Sequence, residues 1–219
     1  MSKKKFYIAA GYSGSVASML MLHDFTQTNS IEDCDFLVLT GGSDISPSLY
    51  GETNVKSHPM NERDQKEMAD IQLALKLDKP MCGVCRGAQM LNVVSGGSMW
   101  QDVNNHSHQH EIISDYPVEN QKLIATSIHH QMMIPSGNYY LIAYVENHAN
   151  IFTSDKGTFT SHNHKDPEVV YYPETKSLCI QGHPEFTADH SEYQKYCINL
   201  LNLMLSGKMD IGLSCYTKM

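Results

Sequence analysis

Short apolar runs alternate with stretches of helical periodicity through the first hundred residues. "KFYIAAG" reads as a first strand closed by Gly11. Ser13 or Ser15 is placed to cap a helix through "VASMLMLHDF". "CDFLVLTGG" holds a second strand, from Asp35 to Thr40, with no polar alternation; such a strand is parallel and covered on both faces. It runs into Gly41-Gly42 and a Pro/Gly/Ser loop, "SDISPSLYGE". Asn61 caps the next helix, where Met68, Ile71 and Leu75 keep an i, i+3, i+7 apolar face. After Pro80, "MCGVC" is a third buried strand, and "RGAQMLNVVSGG" is a helix ending at Gly96-Gly97. This order predicts an α/β fold with a mainly parallel central sheet flanked by helices.

From Met99 the pattern changes. "VNNHSHQHEIISDYP" reads as a polar loop, whereas "YYLIAYVEN", "GTFTSH", "EVVYYPE" and "SLCIQGH" are short β-rich runs. They predict extra antiparallel strands in the C-terminal half. "SEYQKYCINLLNLML" is a closing amphipathic helix, with Ser191 as its cap and Gly207 just past its end. The tail from Lys208 stays unassigned. No linker or repeat interrupts the chain, so residues 1–219 read as one domain.

Composition narrows the function classes. A net charge of −8 argues against nucleic acid or an anionic membrane as the main partner. No run approaches the roughly 18 apolar residues of a membrane helix, and no signal peptide is visible. The expectation is a cytoplasmic protein whose six cysteines are reduced thiols.

The chemistry gathers at Gly83-Val84-Cys85-Arg86-Gly87. A residue at the turn from a buried strand into a helix is exposed at the sheet edge, the logic of the nucleophile elbow, here with cysteine. The helix behind it aims free N–H groups at the sulfur and favours negative charge there. "IQGHPEF" supplies the partners. His183 ends an apolar strand, and Glu185, two residues on, projects to the same side in extended backbone. Cys85, His183 and Glu185 therefore have the residue types of a Cys-His-Glu triad. Oxyanion donors are expected from the backbone N–H of Arg86 and from the Gly41-Gly42 turn, with Gly42 as donor.

With these motifs in place, the chain resembles the class I (triad) glutamine amidotransferases. Within them it is most similar to the gamma-glutamyl hydrolase-like branch, which includes gamma-glutamyl-GABA hydrolases. "LTGGSDISPSLYGE", "GVCRGAQMLNVVSGGSMWQDV", "SIHHQMM" and "IQGHPE" carry the resemblance in order from Leu39 to Glu185. It implies a flavodoxin-like sheet and a gamma-glutamyl thioester on Cys85, with His183 as base then acid and Glu185 orienting it. It also implies that Gly41, Gln89, Ser127 and His129 hold the glutamyl group. Asp44, Tyr50 and Glu52 match the branch's loop near the leaving amine. The implied activity is hydrolysis of a small gamma-glutamyl amide; the alternative is a glutaminase subunit that supplies ammonia to a synthetase partner. Association of two copies stays open, and no cofactor is implied. Three departures bear on substrate preference: the usual second strand is reduced to "DFTQT", Gly182 replaces a common aromatic residue, and His130 replaces a smaller one.

The twelve histidines raise a metal reading, because His106, His108 and His110 occupy alternate positions, as do His162 and His164. A polar loop of solvated histidines, with no metal, is the expectation here. Cys82 and Cys85 form a C-x-x-C, but Cys82 lies within the strand and reads as core filling. Cys34, Cys179 and Cys197 read as core thiols too, while Cys215 lies in the unassigned tail.

Overall fold

A computed structural model describes residues 3–11 and 14–209. In chain order its elements are β1 (Lys5–Ile8), α1 (Gly14–Leu22), β2 (Thr26–Gln27), β3 (Phe36–Leu39), α2 (Glu62–Lys76), β4 (Met81–Val84), α3 (Arg86–Val94), β5 (Ser98–Trp100), β6 (Asp102–Val103), β7 (His110–Ser114), β8 (Gln121–Ala125), β9 (Met132–Ile134), β10 (Tyr140–Glu146), β11 (Ile151–Ser154), β12 (Gly157–Thr160), β13 (Lys165–Tyr172), β14 (Ser177–Ile180) and α4 (Glu192–Leu205). Nine strands form the central sheet in the order β2-β1-β3-β4-β14-β13-β10-β7-β8. The half from β2 to β14 is parallel, and the half from β13 to β8 joins it antiparallel. This is the α/β architecture that the strand and helix order predicts.

The apolar run of β3 is continuous because both its faces are covered. Phe36 and Val38 pack with α1 and α4, while Leu37 and Leu39 pack with α2 and α3. Fully burying one such side chain contributes about 1.5–3 kcal/mol. The registers align Leu39, Gly83 and Cys179, and bring Val84 level with Ile180. The chain therefore leaves β3, β4 and β14 at one carboxyl edge, where open α/β sheets present their sites. Among the described residues, no helix is long and apolar enough to cross a membrane.

Ser191 caps α4 by accepting from the Gln194 N–H, and Gly207 follows in the left-handed region at φ 68°. The reduced second strand is present as β2. Three readings need correction. Helix α1 begins at Gly14, so Ser15 lies inside it; Ser13 and residues 210–219, including Cys215, lie outside the described residues. The segment from Val103 to Pro117 is not all loop, for it contains β7. That strand turns His110, Ile112 and Ser114 inward. Its inner polar groups find partners, His110 on Glu168 at 2.9 Å and Ser114 on the Tyr196 hydroxyl at 2.7 Å. Their polarity is what makes the strand read as loop.

The third correction concerns α2. Its buried residues are Asp64, Glu67, Ile71 and Ala74, whereas Leu75 is exposed. Two carboxylates thus occupy the inner face, so the apolar periodicity points a fraction of a turn away from it. Asn61 fixes the start of the helix through a capping box with Asp64. Asp64 and Glu67 both pair with the guanidinium of Arg86, the first residue of α3. Glu67 also accepts from Arg63 Nε at 2.7 Å.

Asp64, Glu67 and Arg86 are removed from water, and removing one partner of such a set leaves an uncompensated buried charge. Replacing Glu67 with Ala is expected to cost about 3–5 kcal/mol of unfolding free energy. Denaturant unfolding measures it, and a loss under about 1 kcal/mol would contradict this account of the network.

Candidate active site

Cys85 is the hinge between β4 and α3. Its backbone adopts φ 50° and ψ −111°, a left-handed geometry that a non-glycine residue holds only when its surroundings enforce it. The enforcement is visible on both sides. The Cys85 N–H donates to Ile180 O at 2.8 Å, and the Gln89 N–H donates to Cys85 O at 3.0 Å. The sulfur therefore stands at the amino end of α3. Cys82, in β4 three residues before Cys85, is buried, and burial pushes its thiol up to about 12. That fits the reading of Cys82 as core filling beside a differently placed Cys85.

His183 leaves β14 on the same edge. Its backbone N–H donates to Thr126 O at 3.0 Å, and the Thr126 hydroxyl donates to His183 O. The imidazole is buried, stacks on Phe186 at 4.8 Å and donates Nδ1–H to Glu185 Oε1 at 2.8 Å. Burial alone would depress the ring's basicity; hydrogen bonds with Cys85 and Glu185 outweigh it and push His183 up to about 10. The structure thus brings the sulfur, imidazole and carboxylate together. A base within reach of a thiol, itself oriented by a carboxylate, can support nucleophilic acyl transfer.

The Gly41-Gly42 turn forms the facing wall. A Cβ on Gly41 would lie 2.8 Å from His183 Cε1 and 3.7 Å from Cys85 Cβ, so glycine is what lets the His183 and Cys85 side chains come so close. Arg63 braces this turn from behind, donating to Gly41 O at 3.0 Å and to Thr40 O at 2.9 Å. These residues line a cavity of about 490 Å³, together with Gly14, Ser15, Val16, Ile128, Glu185 and Phe186. Arg63, Thr40, Ile128 and Phe186 are members of the site that the motifs did not single out. The available signal for Arg63 was its i, i+4 spacing to Glu67 directly after a helix cap.

The other expected substrate residues, Gln89, Ser127, His129 and Asp44, do not line this cavity. Gln89 donates to Gln131 O at 3.2 Å, Ser127 donates to His106 O at 2.6 Å, and His129 Nδ1–H donates to Gln131 O at 2.8 Å. Asp44 receives a hydrogen bond from His130 Nε2 at 3.1 Å, and Asp102 receives one from His130 Nδ1 at 3.0 Å. Tyr193 explains the unusual Gly182, because its hydroxyl occupies the space a Cβ there would need.

The histidine pattern also needs correction. His108 is exposed, but His106 is 1% exposed and His110 is 9% exposed. Neither is a solvated loop residue. His106 donates Nε2–H to Asp166 at 3.0 Å, and its ring stacks on His129 at 4.7 Å. The antiparallel half of the sheet thus carries a buried polar cluster beside the cavity wall.

A family model described as Peptidase C26 matches residues 2–154, which include Cys85; His183 and Glu185 follow that segment. The glutamine amidotransferase-like protein YvdE of Lactococcus lactis is 34% identical over 169 residues, spanning 74% of this chain and 70% of the relative. The gamma-glutamyl-gamma-aminobutyrate hydrolase PuuD of Escherichia coli is 34% identical over 90 residues, which is 40% of this chain and 35% of that protein. A solved glutamine amidotransferase of Thermotoga maritima matches 95% of this chain and 86% of its own at TM-score 0.57 and 17% identity. A chain of PurLQS from the same organism matches 91% of this chain and 99% of its own at TM-score 0.62 and 12% identity. These structural likenesses establish the fold. On the family model and the relative aligned along most of both chains, the protein belongs to the peptidase C26 family, whose members here are glutamine amidotransferase-like.

Proposed function

We propose that the chain hydrolyses a gamma-glutamyl amide, glutamine or a gamma-glutamyl amine, through a thioester on Cys85. The observation that carries this reading is the meeting of Cys85 with the His183–Glu185 pair in one cavity at the sheet's carboxyl edge. His183 takes the Cys85 thiol proton as the sulfur attacks the amide carbonyl carbon, forming an S–C bond. The backbone N–H groups of Arg86 and Gly42 take the oxyanion. His183, as imidazolium, gives its proton to the departing nitrogen while the C–N bond breaks. Water then attacks the thioester, His183 accepts its proton, and glutamate and the free thiol are restored. Glu185 holds Nδ1–H throughout, so that Nε2 is the atom that moves protons.

The relatives named as hydrolases of a gamma-glutamyl amine favour a chain that works alone. The ammonia-supplying alternative draws on fold neighbours that are a GMP synthase subunit and PurLQS. Asp44, on the loop expected near the leaving amine, forms a charged group with His130 and Asp102.

Two measurements test this account. With glutamine and a panel of gamma-glutamyl amines, and no partner present, wild type is expected to release glutamate. Cys85→Ala and His183→Ala should lose on the order of 10⁴-fold or more in kcat, and Glu185→Gln somewhat less. No glutamate from any substrate sinks the hydrolase reading, and a sharp rise on adding a synthetase partner supports the alternative.

The second concerns charge beside the site. Hydrogen bonding to Asp44, set against burial and aided by Asp102, raises His130 to about 9 from an ordinary 6.5. A raised pKa means the ion pair is fully present below about 6.5 and lost as pH rises through about 9. NMR titration of the imidazole should show Asp44→Asn bringing His130 down toward 6.5; an unchanged midpoint would refute the pairing.

A further inference from the structure

The buried cluster in the antiparallel half has the form of an unfilled coordination site. One ligand atom from each of His106, His129 and Glu168 lies within 4.8 Å of the other two. All three residues are buried, at 1%, 6% and 0% exposure. Each is anchored on one atom by a hydrogen bond. His106 gives Nε2–H to Asp166, and its Nδ1 faces Glu168 Oε1 at 3.4 Å. His129 gives Nδ1–H to Gln131 O, and its Nε2 is unpartnered. Glu168 accepts from His110 on Oε1, and its Oε2 is unpartnered. Donation of one ring nitrogen to a carboxylate or carbonyl is how a metal-bound imidazole is fixed in the tautomer that ligates.

A second triple, His106 with His110 and His148, lies equally close together. It is the weaker set, because both ring nitrogens of His110 are already engaged, on His108 O and on Glu168. Buried polar atoms without partners are costly, so His129 Nε2 and Glu168 Oε2, on neighbouring side chains, call for an occupant. We propose that His106 Nδ1, His129 Nε2 and Glu168 Oε2 bind one divalent transition-metal ion of the zinc class, with water as fourth ligand. Two imidazoles and one carboxylate suit zinc. Its bonds of roughly 2.0–2.2 Å place tetrahedral ligand atoms about 3.4 Å apart, so the three side chains need close in by about an ångström. The ion would join the loop before β7, the loop after β8 and strand β13. The β8–β9 loop also carries Thr126, which holds the backbone of His183. The site therefore acts as a clamp behind the cavity wall, separate from Cys85.

Chelator-stripped, full-length protein titrated with zinc against a competing colorimetric chelator tests this, with metal counted by mass spectrometry. The expected result is one ion per chain. His106→Gln and Glu168→Gln should each weaken binding about tenfold or more, while His108→Gln and Cys85→Ala should bind as wild type does. Cobalt substituted into the wild type should show visible d–d bands without a thiolate charge-transfer band, a readout that does not depend on how the variants fold. Failure of the folded wild type to retain zinc would overturn the proposal and leave water or a proton as the occupant. Loss of binding in His108→Gln, or a thiolate band, would overturn it by placing the ion on the surface or on Cys85.

Discussion

The site depends on one buried arrangement of charge. Arg86 begins α3 immediately after the elbow, and its guanidinium is held by Asp64 and Glu67 of α2. Glu67 also holds Arg63, which donates to the carbonyls of Thr40 and Gly41. A single network therefore ties the elbow to the turn that faces it. The elbow is strained at Cys85, and Gly42, at φ 154°, has the freedom of a glycine turn. Pairing two cations with two anions makes the burial tolerable, and the fork of each arginine fixes direction as well as distance. Stability and the geometry of the cavity are thus linked through one network.

The parallel half of the sheet performs a simpler task. Aligned registers bring the exits of β3, β4 and β14 together, so that the glycine turn, the sulfur and the imidazole converge from three segments distant in sequence. The antiparallel half supports the wall. Thr126 holds His183, Tyr193 fills the space beside Gly182, and the histidines of β7 and the neighbouring loops meet the carboxylates of β13. His106, His110 and Ser114 in that half find partners on other elements.

This division explains what the sequence makes legible. The elbow, the His-Pro-Glu turn and the helix ends at Asn61, Ser191 and Gly207 are local devices, and each is carried by a few adjacent residues. So is the covered apolar run of β3. The inner face of α2 was not legible, because it buries Asp64 and Glu67, and a carboxylate gives no sign that a partner waits on another helix. For the same reason β7 read as loop. His110 and Ser114 point inward only because Glu168 and Tyr196 receive them. Arg63 was missed because its role lies in two backbone carbonyls that no side-chain pattern marks.

The central claim is that Cys85 carries the acyl group during turnover. Rapid acid quenching of the protein with a gamma-glutamyl substrate, followed by intact and peptide mass spectrometry, tests it directly. The account predicts a gamma-glutamyl adduct on the peptide containing Cys85, absent in Cys85→Ala. An adduct on another residue, or undiminished glutamate release by Cys85→Ala, would contradict it.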